Sequence, residues 1–120
     1  MENENKRQIG SEGEDIAEEF LTAKGMIIKK RNFHFGKTGE IDLIAMDGKT
    51  LVFVEVRLRR SSKYGNPIDS ITPSKIKNVR RTAEGYLYVN KIKDVECRFD
   101  VVSIDLADGK KEITHLPFAF

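Results

Sequence analysis

The chain has 120 residues, with 21 Lys and Arg against 19 Asp and Glu and a formal net charge of +2. Leu, Ile, Val and Phe together number 34, above the roughly one-fifth share below which a charged chain stays disordered, so one hydrophobic core is expected and not two. No apolar run approaches the roughly 18 residues of a membrane span, the first residues lack a signal-peptide pattern, and one cysteine with two histidines excludes an internal disulfide and a Cys/His zinc site. A cytoplasmic protein without membrane contact is the expectation.

Residues 1–9 are polar and expected to fray, leaving residues 10–120 as a single domain. Ser11-Glu12-Gly13-Glu14 has the form of a capping box, with Ser11 as N-cap and Glu14 at the third helical position. The helix it opens places Ile16, Ala17, Phe20 and Leu21 on one face and stops at Gly25. Residues 26–33 read as a strand, followed by a turn through Gly36 and Gly39. Strands over 40–46 and 51–58 flank a turn containing Asp47-Gly48. After a polar loop over 59–72, Thr72-Pro73 reads as an N-cap and first turn. The second helix groups Ile76, Val79, Ala83, Tyr86 and Leu87, with Lys75, Lys77, Arg80 and Arg81 largely off that face. Residues 96–106 and 111–117 form a closing hairpin around Asp108-Gly109. A helix, three strands, a helix and two strands imply an α/β domain around one mixed sheet.

Charge is segregated along this order. Residues 1–55 carry net −3, residues 56–93 net +8 and residues 94–120 net −3. A basic block between acidic ones suits a polyanion-binding face, and equally a solvated helix and loop.

In the second strand Ile41, Leu43 and Ala45 alternate with Glu40, Asp42, Ile44 and Met46; in the third, Val52, Val54, Val56 and Leu58 alternate with Leu51, Phe53, Glu55 and Arg57. Both faces are largely apolar, as in strands covered on two sides, yet acids interrupt one face of each. Pairing 46 with 49 sets Asp42 diagonal to Glu55, and pairing 46 with 51 sets the two directly opposite. Either register separates their Cβ atoms by roughly 4.5–8 Å. Facing carboxylates suit a hard divalent cation, and Arg57 adds a fixed positive charge on the same face. These are components for phosphodiester hydrolysis; Glu55 and Arg57 alone also make an ordinary salt bridge.

Gly39-Glu40-Ile41-Asp42-Leu43-Ile44-Ala45, Leu51-Val52-Phe53-Val54-Glu55-Val56-Arg57 and Arg98-Phe99-Asp100-Val101-Val102 resemble the YraN-like bacterial family. That family is related to the restriction-endonuclease-like PD-(D/E)XK nucleases and to archaeal Holliday-junction resolvases, and the resemblance spans about residues 10–118. It implies an αβββαβ core with an added C-terminal strand, and Mg²⁺ or Mn²⁺ as cofactor. It implies Asp42 and Glu55 as metal ligands, joined by the Val56 carbonyl; Glu40, on the same face as Asp42, would either reach the metal through water or be a strand-end surface residue. Glu14 would be an auxiliary acid and Arg57 the catalytic cation. Ile41 stands where the signature has proline, and Arg57 where it has lysine; arginine stays protonated and cannot act as a base.

Arg59, Arg60, Lys63, Lys75, Lys77, Arg80 and Arg81 would contact phosphates, and Tyr64 would stack on a base or pack on the domain edge. Arg98 and Asp100 read as a structural ion pair, His34 and His115 as surface or strand-end residues, and Cys97 as a small buried residue. The expected function is a metal-dependent endonuclease acting on DNA rather than RNA, including branched DNA. The alternatives are a nucleic-acid-binding module without turnover and a protein-interaction domain. Leu116, Phe118 and Phe120 close the core or supply a homodimer contact.

Overall fold

The computed structural model describes residues 2–37, 39–60 and 71–120, with side chains from Ser11 onward. The elements are α1 (Glu2–Ala23), β1 (Ile27–Phe35), β2 (Gly39–Asp47), β3 (Thr50–Arg59), α2 (Pro73–Val89), β4 (Glu96–Ala107) and β5 (Lys110–Leu116). The strands form one sheet in the order β1-β2-β3-β4-β5. β3 and β4 run parallel and the other neighbours antiparallel, so the sheet is mixed. A parallel pair needs a crossover, and α2 supplies it between β3 and β4. This is the restriction-endonuclease-like αβββαβ core with an added C-terminal strand.

The first helix departs from expectation at its start. It begins at Glu2, so Ser11 lies inside α1 and is not its N-cap. Residues 2–9 contain neither Gly nor Pro and are rich in Glu, Lys, Arg and Gln, so nothing in them ends a helix. Its other end is as read: Gly25, at φ 94°, closes a Schellman motif in which Met26 N–H donates to Leu21 O and Gly25 N–H to Thr22 O. Thr72 caps α2, its side chain accepting from Lys75 N–H at 3.1 Å, with Pro73 in the first turn.

Each face of the sheet carries a core. Ala17 and Leu21 of α1 pack with Leu43, Ala45, Val52, Val54, Val102 and Ile104. Val79 and Ala83 of α2 pack with Ile41, Ile44, Leu51 and Phe53 on the opposite face. Ile41 was expected beside Leu43 and belongs instead to the α2 side. The roll-over occurs where Asn32 and Asp42 fall opposite each other, between the pairs Arg31↔Leu43 and Phe33↔Ile41. Asn32 adopts φ 51°, a left-handed conformation that asparagine tolerates better than most residues. Asp42 therefore sits at a break in the alternation.

Close approach of α2 to the sheet depends on Gly39. A Cβ there would collide with Thr82 Oγ1, whereas one at Gly13 would meet Leu58 Cβ at 3.4 Å, an ordinary contact. Substitution at Gly39 would force β2 and α2 apart just before the acidic stretch begins.

Two single-residue expectations are overturned. Cys97 is exposed. It is the second residue of β4, before the strand passes between the two cores. His115 has a side chain only 6 % exposed and reaches Asp100 Oδ2 at 2.7 Å through Nε2, because β5 folds its strand end back over β4. Arg98 and Asp100 do form the expected pair, with Nε–Oδ1 at 2.9 Å and Nη2–Oδ2 at 3.0 Å. Phe118 is exposed, whereas Phe120 stacks on Phe99 with centroids 5.5 Å apart. No helix among the described residues is long and apolar enough to cross a membrane.

Candidate active site

The hairpin between β2 and β3 pairs Met46 with Leu51 and Asp47 with Thr50. This is the register that carries Asp42 opposite Glu55. The ladder stops at Leu43↔Val54, and beyond it the Asp42 carboxylate takes over as acceptor: Val56 N–H donates to Asp42 Oδ2 at 2.8 Å. A side chain thus replaces a strand carbonyl where β2 and β3 part. Burial and the neighbouring Glu55 charge push Asp42 up to about 7, against the pull of that hydrogen bond, with Glu40 and Glu14 adding to the rise.

Glu55 is 5 % exposed on the α2 face of β3. Its Oε1 lies 3.4 Å from Lys75 Nζ and 3.6 Å from Arg57 Nη2, contacts longer than charge-assisted hydrogen bonds. Burial raises its proton affinity, and Lys75 and Arg57 offset only part of that rise. Lys75 comes from the first turn of α2, so the helix start that the Thr72 cap fixes also delivers a cation to the acidic pair. Its helical position had suggested an outward phosphate contact. The register of α2 against β3 decided otherwise, and no sequence pattern carries that register.

Glu14 is 8 % exposed and does not cap a helix; Asn32 Nδ2 donates to its Oε2 at 2.8 Å and Arg31 Nη2 lies at 3.3 Å. Glu14 lies within electrostatic reach of Asp42 and adds to its proton affinity. Sequence reasoning missed Asn32 and Arg31. Arg31 also meets Asp15 at 2.7 Å and Glu18 at 3.1 Å, which raises its own proton affinity through the Asp15 hydrogen bond first. The signal for this clamp was present as an arginine on β1 facing acids on α1, but the facing itself needs the fold. Glu40 is exposed, with His34 Nε2 at 3.9 Å.

The expected phosphate contacts separate into two groups. Arg59 is held bidentately by Asp105, with Nε–Oδ1 at 2.7 Å and Nη2–Oδ2 at 3.1 Å. Arg60 meets Glu12 at 2.7 Å. Lys77, Arg80 and Arg81 stay exposed on α2, and Arg80 lies 4.8 Å over the Phe99 ring. Lys63 and Tyr64 lie outside the described residues.

Residues 13–104, which include Glu14, Asp42, Glu55, Arg57 and Lys75, match the uncharacterised protein family UPF0102. The chain belongs to that family. A UPF0102 protein of Symbiobacterium thermophilum is 48% identical over 115 residues, covering 95% of this chain and 97% of its own. Those of Syntrophomonas wolfei and Caldicellulosiruptor saccharolyticus are 43% identical over 114 residues and 47% over 100, covering 95% and 83% of this chain and 98% and 84% of theirs. The UPF0102 family is structurally related to the PD-(D/E)XK and Holliday-junction resolvase fold, in agreement with the architecture above.

Among the described residues, no three His, Cys, Asp or Glu side chains converge as a metal-holding group. Glu14 is turned to Asn32 and Arg31, so the site is a pair of carboxylates. Mg²⁺ commonly takes one or two protein carboxylates and completes its shell with water and substrate phosphate. The donor chemistry fits: two hard oxygen ligands, one of which, Asp42, is already driven by burial first and by the Glu55 charge second to hold a proton near neutrality.

Proposed function

We propose that this UPF0102 protein is a metal-dependent endonuclease that hydrolyses phosphodiester bonds in DNA, branched junctions included. The observation that carries the reading is the under-neutralised pair Asp42–Glu55 with Arg57 and Lys75 at its edge. Asp42 and Glu55, with the Val56 carbonyl and with Glu40 through water, would hold Mg²⁺ or Mn²⁺. Bound there, the ion would polarise a phosphate oxygen and acidify a water. Arg57, always protonated, donates to the charge that builds on phosphorus. Lys75, whose Nζ stands 3.4 Å from Glu55, would add a second positive charge beside the phosphate. Hydrolysis would join the oxygen of a water to phosphorus and break the bond to the leaving sugar oxygen, which takes up a proton as the water gives one up to solvent. Exposed Lys77, Arg80 and Arg81 supply backbone contacts, so affinity falls as salt rises. A homodimer would cut both strands of a symmetric junction, and the compartment that suits DNA as substrate is the cytoplasm.

The test is cleavage of supercoiled plasmid and of a four-way junction with Mg²⁺, Mn²⁺ or EDTA, comparing wild type with Asp42→Asn. Metal-dependent nicking that the variant loses by at least about 100-fold is expected. Full activity in Asp42→Asn overturns the site. A second reading, a DNA-binding module without turnover, draws on Lys75 and Arg57 already standing against Glu55. Salt-sensitive binding with no product in any metal would decide for it.

A further inference from the structure

The last turn of α2 sets two tyrosines in opposite surroundings. Tyr86 packs its ring edge-on against Phe33 and Phe53, with centroids 5.1 and 6.1 Å apart, and joins the α2-side core. Tyr88 is 82% exposed, and Val89 beside it 56%. Positions two apart on a helix point about 200° from each other, so the core takes one ring and leaves the other to solvent. The helix then ends in a Schellman-type turn: Ile92 N–H donates to Leu87 O at 2.9 Å, and Lys91 adopts φ 54° where glycine is usual. Beside this turn lies a surface hollow of about 300 Å³, lined by Leu87, Tyr88, Lys91, Ile92 and Lys93.

Charge decides what such a hollow suits. Among the described residues, its charged lining is two lysines and no carboxylate. It also ends a run of cations: over residues 77–94, Lys77, Arg80, Arg81, Lys91 and Lys93 are exposed against the exposed acids Glu84 and Asp94, net +3. Lys77, Arg81 and Tyr88 fall within about 40° of one line along the helix, with Glu84 the acid on that side. Protein-binding patches are depleted of lysine at their centres, whereas an exposed ring beside cations in a groove is the pattern of a single-strand nucleic-acid platform. A duplex covers the faces of its bases by stacking, so only an unpaired base offers one to Tyr88.

We propose that this hollow is a subsite for an unpaired nucleotide: its base stacks on Tyr88 against Leu87 and Ile92, and Lys91 and Lys93 take the neighbouring phosphates. The proposal deepens the reading above by naming the form of nucleic acid, a single strand or the unpaired part of a branched one. It rests on the nucleic-acid binding in that reading and not on the hydrolysis. Lys75, which meets Glu55, stands at the other end of α2, about 20 Å from Tyr88 along the helix axis. The subsite would therefore hold strand that flanks the cut, not the scissile phosphate.

Wild type, Tyr88→Ala and Tyr88→Trp test it by anisotropy of labelled oligo(dT), and of its duplex with oligo(dA), in EDTA. Tyr88 is exposed, so Tyr88→Ala is expected to unfold at the wild-type temperature. Its affinity for oligo(dT) is expected to fall on the order of tenfold, and its duplex affinity to stay within about twofold of wild type. Tyr88→Trp introduces the chain's only tryptophan; it is expected to keep the affinity and to lose emission on binding oligo(dT). Lys91→Asn with Lys93→Gln, the asparagine suiting the left-handed turn, is expected to flatten the slope of log affinity against log salt by about 1.4. Wild-type oligo(dT) affinity in Tyr88→Ala overturns the subsite, as do equal losses on single strand and duplex or unchanged emission in Tyr88→Trp. An unchanged slope overturns the lysine contacts. If wild type binds duplex but not oligo(dT), the subsite fails and the nuclease reading stands. If oligo(dT) binds through Tyr88 but Mg²⁺ brings no plasmid cleavage, the hydrolase reading fails and the subsite stands.

Discussion

Asp42 and Asp100 are both aspartates inside hydrophobic strands of one sheet, yet their surroundings are opposite. Asp100 is fully buried and receives Arg98 through Nε and Nη2, His115 Nε2 at 2.7 Å and Phe118 N–H at 3.2 Å. Burial alone would raise its proton affinity; the His115 and Arg98 hydrogen bonds outweigh that and hold it below the usual carboxylate range. The surrounding network continues to Asp47, 3.0 Å from Arg98 Nη1, and to Lys24, whose Nζ lies 2.8 Å from His115 Nδ1. Asp42 receives one backbone N–H and faces other acids, and it is pushed the other way. A closed ion pair of the first kind holds strands together. An acid left short of positive charge, beside a second acid, is the arrangement on which the proposed metal site rests.

The largest effect that separates the two clusters is on stability. Asp100→Ala strands Arg98 and His115 without their acceptor and is expected to cost about 3–5 kcal/mol in denaturant unfolding. Asp42→Ala relieves charge repulsion at the site but leaves Val56 N–H without its acceptor, and with the two opposing it is expected to change stability by less than about 1 kcal/mol at neutral pH. Equal losses in the two variants would erase the distinction between a structural and a receptive acid.

The pH dependence sharpens it further, because the two acids pull in opposite directions. Asp42 holds its proton more tightly folded than unfolded, so its contribution is full below the ordinary value of 3.8 and is lost as pH rises to about 7. After allowing for partial solvent screening, that loss amounts to about 1–3 kcal/mol. Asp100 contributes above its ordinary carboxylate pKa and loses that contribution as pH falls through its lowered value. Unfolding free energies of wild type and Asp42→Asn measured from pH 4 to pH 8 should diverge, with wild type losing relative stability as pH rises. Parallel curves would show that Asp42 is not held protonated by its surroundings.

Much of this was legible in the sequence, for reasons that particular residues make plain. Thr72-Pro73, Gly25 and Asp108-Gly109 act locally, and each element end they predict is where the backbone turns. Asp42 and Glu55 were conspicuous because carboxylates interrupt apolar strands, and the hairpin fixed their register within a choice of two. The helix start was not legible: Ser11 and Glu14 satisfy a capping pattern, but a run of helix formers upstream lets α1 continue to Glu2. The partners that separate Asp42 from Asp100 were also hidden. His115 reaches Asp100 only because β5 folds back on β4, and Lys75 reaches Glu55 only through the docking of α2.

The smallest effect tests whether the difference between the clusters is one of charge balance. Lys75→Met removes a cation 3.4 Å from Glu55 and leaves Asp100 untouched. Because Lys75 opposes the effect of burial on Glu55 more strongly than Arg57 does, the Glu55 carboxylate should titrate higher in the variant. Carboxyl-carbon NMR reads that shift residue by residue, and Asp100 serves as the internal control. The Lys75 side chain is 37% exposed, so its loss should change stability by less than about 1 kcal/mol. A shifted Glu55 titration with little change in stability places Lys75 in the electrostatics of the acidic pair. An unmoved titration would leave Arg57 as the cation that matters there and return Lys75 to the outer face of α2.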